Sequence, residues 1–534
     1  MNKTLRLLFL LLIVPLNLMA FSAEPFEVVE FSILHTSDIH AHLMAFDSPT
    51  EKGVGGYARI KEYRQSLEDQ GREVVMLSSG DIFQGTFFYR FFQGIPDIEF
   101  MNSTGYNAMT LGNHEFDSGQ EVLAEAVSYA RFPILAANIV FKKIPQLQSR
   151  IKPYTIINAG KSENPVKIAL IGLTPENLKE IVQPLFVTDF DVCDASLAIR
   201  KCLPEIKAQN PDMIILLSHL GWERELELFE EFPEIDGILG GHTHLAINPP
   251  AVVNGNRGHR FMSQPGEWGQ NVTRYDIAFY RNSPQKVDVL AAGLVAMGND
   301  KPEDCEIAVI VEKLWEQIKD KVNVKLGFAK VFLDGERNSV RNNETNLGNL
   351  VADSFASFAS TDMALINGGG IRSSIASGSI TVGDCLNVLP FDNYLVTLKL
   401  SGASLKKVFA QVAYEMEQAG GFGGFLQVSR GVQVDYSQSE LSVKFKGKEL
   451  DDEQLYSVCT IDFLAAGGNG LSGFTEAVDS GSTGKLTGDV FMKFIQTEKV
   501  VAPVTENRIK LKHIVPKHKM PKGILKCIPT PTHP

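Results

Sequence analysis

The chain has 534 residues, of which 44% are hydrophobic and 21% charged. That balance belongs to a soluble globular protein of roughly two to four domains and excludes a single small module, a disordered chain and a polytopic membrane protein. With 51 Lys+Arg against 63 Asp+Glu the formal net charge is −12, so no general field attracts nucleic acid polymers or anionic lipid, and a site that handles phosphate must gather its cations locally.

In chain order, Lys3 and Arg6 open an apolar run that ends in the small residues Ala20, Ser22 and Ala23. These are the three parts of a signal peptide over residues 1–22. Pro15 and Asn17 interrupt the run short of the ~20 residues a spanning helix needs, and no lipobox cysteine follows it. The expectation is a periplasmic or secreted protein without a stable membrane anchor. The six cysteines lack CxxC spacing and read as buried thiols, with Cys193 and Cys202 the one local pair near enough in sequence to bridge.

Short apolar strands are expected at 29–34, 74–77, 108–111, 134–136, 168–173, 213–217 and 237–239, each followed by polar or glycine-rich residues and helix-like stretches. This is the pattern of a layered α/β domain, in which ligands gather beyond the carboxyl ends of strands. An amphipathic helix over 302–322, with Ile307, Val311, Leu314, Ile318 and Val322 at helical spacing, reads as a linker. A second α/β region follows, with helices at 346–358 and 404–418 and a strand at 363–366. Residues 513–534, rich in proline and lysine, read as a solvated tail.

Five segments at strand ends carry oxygen and imidazole groups: Asp38-Ile39-His40, Gly80-Asp81, Gly112-Asn113-His114-Glu115, Ser218-His219 and Gly241-His242-Thr243-His244. In extended exits Asp38 and His40 point the same way, as do His242 and His244. A carboxylate can bridge two cations while neutral imidazoles and an amide hold them, a set suited to two divalent ions such as Zn²⁺, Mn²⁺ or Co²⁺. His114 and Asp117 form a further pair, in which the carboxylate fixes the imidazole for work on a phosphoryl oxygen. Asp117 also stands where it can cap a helix over 118–130. His35 and His42 match no ligand position and read as supporting residues.

In this order the motifs resemble those of calcineurin-like metallophosphoesterases, and together with the second half the chain resembles the 5′-nucleotidase family, which includes periplasmic UDP-sugar hydrolases. The resemblance implies an N-terminal four-layer α-β-β-α metallophosphoesterase sandwich over 23–300, a linker helix over 301–324, a C-terminal α/β substrate-binding domain over 325–512 and a tail over 513–534. It implies that Asp38, His40 and His244 hold one metal, that Asn113, His219 and His242 hold the other, and that Asp81 bridges. It further implies a second domain that swings about the linker.

Within the second half, Asn367-Gly368-Gly369-Gly370-Ile371-Arg372 offers glycine amides open to an anion and a guanidinium able to grip phosphate. The resemblance adds Arg341 as a second phosphate ligand, Phe425 and Phe463 as the faces that sandwich a nucleobase, and Asn367, Gly369 and Gly370 as substrate-lining residues. Asn469 stands where relatives commonly carry an Asp that bonds the ribose hydroxyls; an amide accepts a hydrogen bond there without the charge. The function implied is hydrolysis of nucleotide phosphoesters, UDP-sugars or other nucleotide diphosphates included. A 2′,3′-cyclic nucleotide 2′-phosphodiesterase with 3′-nucleotidase activity is the alternative enzyme, and a non-catalytic nucleotide-binding or adhesion protein the alternative of another class.

Overall fold

The computed structural model describes residues 27–531 except 49–50, 162, 419–420, 438–440, 512–519 and 526–527. The signal peptide over 1–22 and Cys527 lie outside the described residues.

All seven expected strands of the first half form. Val28–Thr36, Val74–Ser78 and Ala108–Thr110 run parallel with Thr36 opposite Ser78 and Ser78 opposite Met109. Val166–Leu173, Met213–Ser218 and Gly237–Leu239 run parallel with Leu173 opposite Ser218 and Leu217 opposite Leu239. Each set therefore ends along one edge, and the polar segments emerge there together.

The antiparallel pair Asn271–Tyr280 and Val287–Ala296 joins the two sets into one 13-stranded sheet. That sheet folds back on itself: Ile33, Leu77 and Leu135 share a core with Leu170, Leu217 and Leu239. The layers approach most closely at Gly172, where a Cβ would stand 2.3 Å from that of Leu135. Helices Tyr57–Asp69, Ile95–Thr104 and Gln120–Ser128 cover one outer face. Ala195–Ala208 and Trp222–Glu231 cover the other. This is the four-layer α-β-β-α sandwich.

Helix Cys305–Val322 starts at an Asp304 cap, whose side chain accepts from the Ile307 amide. Its buried residues Ile307, Val311 and Ile318 belong to the first half's core, so the linker helix docks on the domain it leaves. Beyond it lies a five-stranded sheet in the order Leu426–Val428, Met363–Asn367, Leu455–Ile461, Tyr394–Ser401, Asp479–Leu486. Helices Asn346–Ala359, Gly402–Gln418 and Thr487–Glu498 accompany it around a separate core. The halves meet where the Phe87 amide donates to Asn387 Oδ1 at 3.2 Å and Arg90 donates to Asp392 at 2.5 Å.

The C-terminal residues differ from the solvated tail that their composition suggests. Ile524 bridges Val253, the Leu525 amide donates to Val252 at 2.8 Å, and the Ala292 amide donates to Pro529 at 2.9 Å. Leu525 and Ile528 pack on the first half's core. The edge strand Ala251–Gly255 pairs with Gly258–Ser263 alone among the described strands, and an edge with unpaired groups accepts an extended, proline-rich segment readily. Gly293 makes room for it, since a Cβ there would stand 2.6 Å from Pro531. No disulfide is formed by the five described cysteines, and Cys193 stays exposed beside a buried Cys202.

Deleting residues 520–534 is expected to destabilise the first half by about 3 kcal/mol, from the loss of three half-buried aliphatic side chains. A calorimetric Tm that does not fall would mean the segment contributes no packing energy.

Candidate metal centre and substrate cavity

The polar segments do not leave their strands in extended form. Asp38, His40, Asp81, His242 and His244 have φ of 54°, 52°, 51°, 76° and 61°. The physical reason is that the chain must reverse at the sheet edge while each side chain turns back over it, and Asp and His tolerate the left-handed region better than branched residues do. Gly80, at φ 86°, lets the Asp81 loop touch the next one: a Cβ there would lie 2.5 Å from the Gly112 nitrogen.

Two buried carboxylates hold these loops. Glu115 accepts from the amides of Gly112 at 2.6 Å, Ile82 at 2.8 Å, Asp81 at 3.1 Å and Phe83 at 3.3 Å. Glu225 accepts from the Gly241 amide at 3.2 Å and from Gln264 at 2.7 Å. Burial pushes the pKa of each up to about 7. Neither stands out in the sequence. Glu115 is visible there only as the fourth letter of Gly-Asn-His-Glu, where an acid next to a ligand-type pair invites such a role.

The side chains converge as expected from the motifs. His244 Nε2 lies 3.1 Å from His40 Nε2 and 3.2 Å from Asp38 Oδ1; His40 Nε2 is 3.9 Å from Asp81 Oδ2. On the other side His219 Nε2 lies 2.9 Å from Asp81 Oδ2 and 3.7 Å from Asp38 Oδ1. Two trios, Asp38-His40-His244 and Asp81-His219-His242, each bring donor atoms within 4.8 Å of one another, and His40, Asp81 and His114 form a third.

The donor set fits divalent cations. Burial keeps His40, His242 and His244 far below the usual imidazole pKa, hence neutral. Burial raises Asp38 to about 6, whereas Asp81, although burial opposes its charge, is held well below its ordinary value by His219, His114 and His40. His219, against the burial penalty, is raised to about 10 by Asp81 and Asp38. Positive charge is therefore wanted at this spot. Asn113 Oδ1 is buried there with no hydrogen-bond partner, the condition of an acceptor built for a cation.

Around this centre stand the supporting groups. His114 Nδ1 and Asp117 Oδ2 are 2.5 Å apart, and His114 Nε2 lies 4.0 Å from Asp81 Oδ2. The following helix starts at Gln120 with Gly119 as its cap, so Asp117 is not the N-cap of that helix; its carboxylate serves the histidine. His244 Nδ1 is bonded to Glu267. His35 pairs with Ser79 at 2.9 Å, and His42 stacks on Trp268.

A cavity of about 700 Å³ opens from the centre between the two halves. Asp81, Asn113, His114 and His242 line one end; Arg341, Arg372, Asn367, Gly369, Gly370, Phe463 and Asn469 line the rest. Asp38, His40 and His219 sit beneath its wall. Arg337, not anticipated, joins them: four residues before Arg341 near the short helix Arg337–Val340, it donates to the His242 carbonyl at 3.2 Å. Its signal is the i, i+4 spacing of two arginines. Burial and Arg372 bring its pKa down to about 9, and burial with both neighbours also depresses Arg341. The three cations crowd a space that calls for an anion.

Two expectations need correction. The Gly368 and Gly369 amides are not open to an anion, because they donate to Phe425 at 2.6 Å and Gly423 at 2.8 Å. The glycines serve close approach instead: a Cβ on Gly368 would lie 2.1 Å from the Val340 oxygen. Phe425 is fully buried in the second half's core and does not line the cavity. Phe422, three residues earlier, does. The Phe425 amide donates to the Phe422 carbonyl at 3.0 Å, a tight turn that places one ring inward and the other at the cavity.

A calcineurin-like phosphoesterase family model matches residues 31–246, and a 5′-nucleotidase C-terminal domain model matches residues 325–476. The snake venom 5′-nucleotidase of Crotalus adamanteus is 30% identical over 528 residues, covering 90% of this chain and 88% of that protein. A crystal structure of a 5′-nucleotidase precursor from Thermus thermophilus shares 31% identity at a TM-score of 0.83, covering 90% of this chain and 99% of that one. A trifunctional nucleotide phosphoesterase of Bacillus subtilis is 32% identical over 527 residues, but the chain spans only 35% of its length. Fold and centre define a metal-dependent phosphoester hydrolase. The chain belongs to the 5′-nucleotidase family.

Glu115→Gln keeps the volume but turns an amino group toward backbone donors. It is expected to lower stability by about 2 kcal/mol and to weaken retention of divalent metal. Unchanged metal content after dialysis, measured by atomic emission, would show that the loops hold without the carboxylate.

Proposed function

We propose that the enzyme hydrolyses nucleoside 5′-phosphate esters to nucleoside and inorganic phosphate outside the cytoplasm. The observation that carries this reading is one cavity whose wall brings together cation-binding groups, three guanidinium groups and aromatic rings. Asp38, His40 and His244 would hold one divalent cation and Asn113, His219 and His242 a second, with Asp81 between them. Such a pair, when bound, supplies Lewis acidity and an activated water.

The chain's own groups do the rest. Arg337, Arg341 and Arg372 grip the phosphoryl oxygens and offset their charge. His114, held by Asp117 at Nδ1, turns Nε2 toward the phosphate and can donate a proton there as the ester bond breaks. Phe422 and Phe463 offer flat faces to a base, each stacked face contributing roughly 1–3 kcal/mol. Three arginines exceed what one phosphoryl group requires, which supports extending the substrates to nucleoside diphosphates and their sugar esters. The basic and apolar residues before Ala23 support export.

His114→Ala is expected to leave metal content intact while kcat falls about 10²–10⁴-fold; turnover at the native level would remove His114 from the reaction. Phe422→Ala should raise KM for AMP about tenfold, the loss of one stacked face. Phe425→Ala should instead lower the unfolding free energy by about 3–5 kcal/mol of lost core packing, and the reverse pattern would return the base contact to Phe425. With Mn²⁺, Zn²⁺ or Co²⁺ supplied, AMP and UDP-glucose should be cleaved. Cleavage of 2′,3′-cyclic AMP in their place would favour the phosphodiesterase, and cleavage of a simple aryl phosphate alone would overturn the nucleotide reading.

A further inference from the structure

We propose that the neutral side-chain pair Asn367–Asn469 admits nucleotides with a second phosphate on the ribose, so that the enzyme also removes the 5′-phosphate of nucleoside 3′,5′-bisphosphates. This rests on the reading of the cavity as a nucleotide 5′-phosphatase site.

The pair stands between the two ends of the cavity. Asn367 abuts Gly369 and Gly370, which lead directly to Arg372: Cβ atoms placed on these glycines would lie 3.3 Å from Asn367 Nδ2 and 3.0 Å from Asn367 Oδ1. Asn469 abuts the other end, because a Cβ on Gly424 would lie 2.8 Å from Asn469 Cβ and 2.4 Å from the Phe422 ring. With phosphate at the arginines and base at the rings, the sugar lies at the asparagines.

Asn367 Nδ2 donates to Asn469 Oδ1 at 3.2 Å. Asn367 Oδ1, in a side chain that is 5% exposed, has no partner, and no described residue accepts from Asn469 Nδ2. Turning both amides exchanges oxygen for nitrogen but leaves the same inventory. One carbonyl and one amino group remain unused, and neither is charged.

A carboxylate at either position could only accept hydrogen bonds, which favours free sugar hydroxyls and repels a phosphate. The amide pair accepts from a hydroxyl and donates to a phosphate oxygen with no repulsion. Of the other acids on the second half's share of the wall, Asp392 is paired with Arg90, Asp462 accepts from the Phe463 amide at 2.9 Å and is pushed up in pKa by burial, and Glu415 stands on the helix Gly402–Gln418. The cavity of about 700 Å³ leaves space beside a nucleoside monophosphate. The step is ordinary hydrolysis: water adds to the 5′ phosphorus, the P–O5′ bond breaks, and the departing oxygen takes a proton. The products are the nucleoside 3′-phosphate and inorganic phosphate.

The test compares kcat/KM for adenosine 3′,5′-bisphosphate and AMP in the native metal-loaded enzyme and in Asn469→Asp, with Asn367→Asp as the second variant. The native enzyme should cleave the bisphosphate at its 5′ position within about tenfold of AMP. Asn469→Asp should move the two KM values in opposite directions, lower for AMP and higher for the bisphosphate, so that the ratio falls by about tenfold or more, a change of roughly 1.4 kcal/mol. Damage to the fold would weaken both substrates together and cannot imitate that split. A bisphosphate left intact by the native enzyme, or a ratio unmoved by both variants, overturns the inference. Failure to cleave AMP would overturn the parent reading, and is told apart by that control.

Discussion

Two carboxylates, Asp38 and Asp81, are buried with essentially no contact with water, and everything around them answers that constraint. Withdrawing an anion from water costs several kcal/mol even after relaxation, so the site requires positive charge of matching density. Three neutral imidazoles and an unpartnered amide oxygen complete a cradle that can receive it without cancelling it. An overall charge of −12 is no obstacle to phosphate chemistry when the cations are concentrated at one seam. Keeping the loops over that cradle takes further buried acids, Glu115 and Glu225, whose acceptor oxygens are filled by backbone amides and a glutamine.

The labour is divided between the halves. The sandwich presents the reacting end, and its position follows from strand register, since two parallel sets finish on one edge. The second half contributes the arginines and rings from turns beside its own sheet. Arg337 reaches the His242 carbonyl, and Arg372 comes within 3.4 Å of His40. Contacts of this kind tie the second half's arginines to the sandwich's histidines.

Strand ends carrying Asp-x-His, Gly-Asn-His-Glu and Gly-His-x-His are legible in the sequence because few other tasks put those residue types at that spacing. The fold is legible for a related reason: short apolar runs of three to six residues, each followed by a polar turn, leave little choice but parallel strands under helices. The left-handed backbone at Asp38 and His244 is not, since backbone angle leaves no trace in residue type when the residue is neither Gly nor Asn. Phe422 and Phe425 sit in near-identical glycine contexts, and only the turn between them decides which ring faces inward. Arg337 is hidden by its ordinary polar surroundings. The hairpin over 271–296 closes the sandwich, yet its first strand is buried on both faces and lacks the alternation that marks a half-exposed strand.

The C-terminal segment on the edge strand Ala251–Gly255 makes the first half discontinuous along the chain. During synthesis that half emerges with Val252 and Ala292 still lacking their partners, and the whole of the second half must follow before Leu525 and Pro529 arrive. The second half has time to fold meanwhile, because domains form as units while the chain is being made. The sandwich is therefore completed after the domain that follows it, and a chain that stops short of Leu525 leaves an open sheet edge. Such an unfinished molecule offers proteases an extended strand that the completed one has already covered.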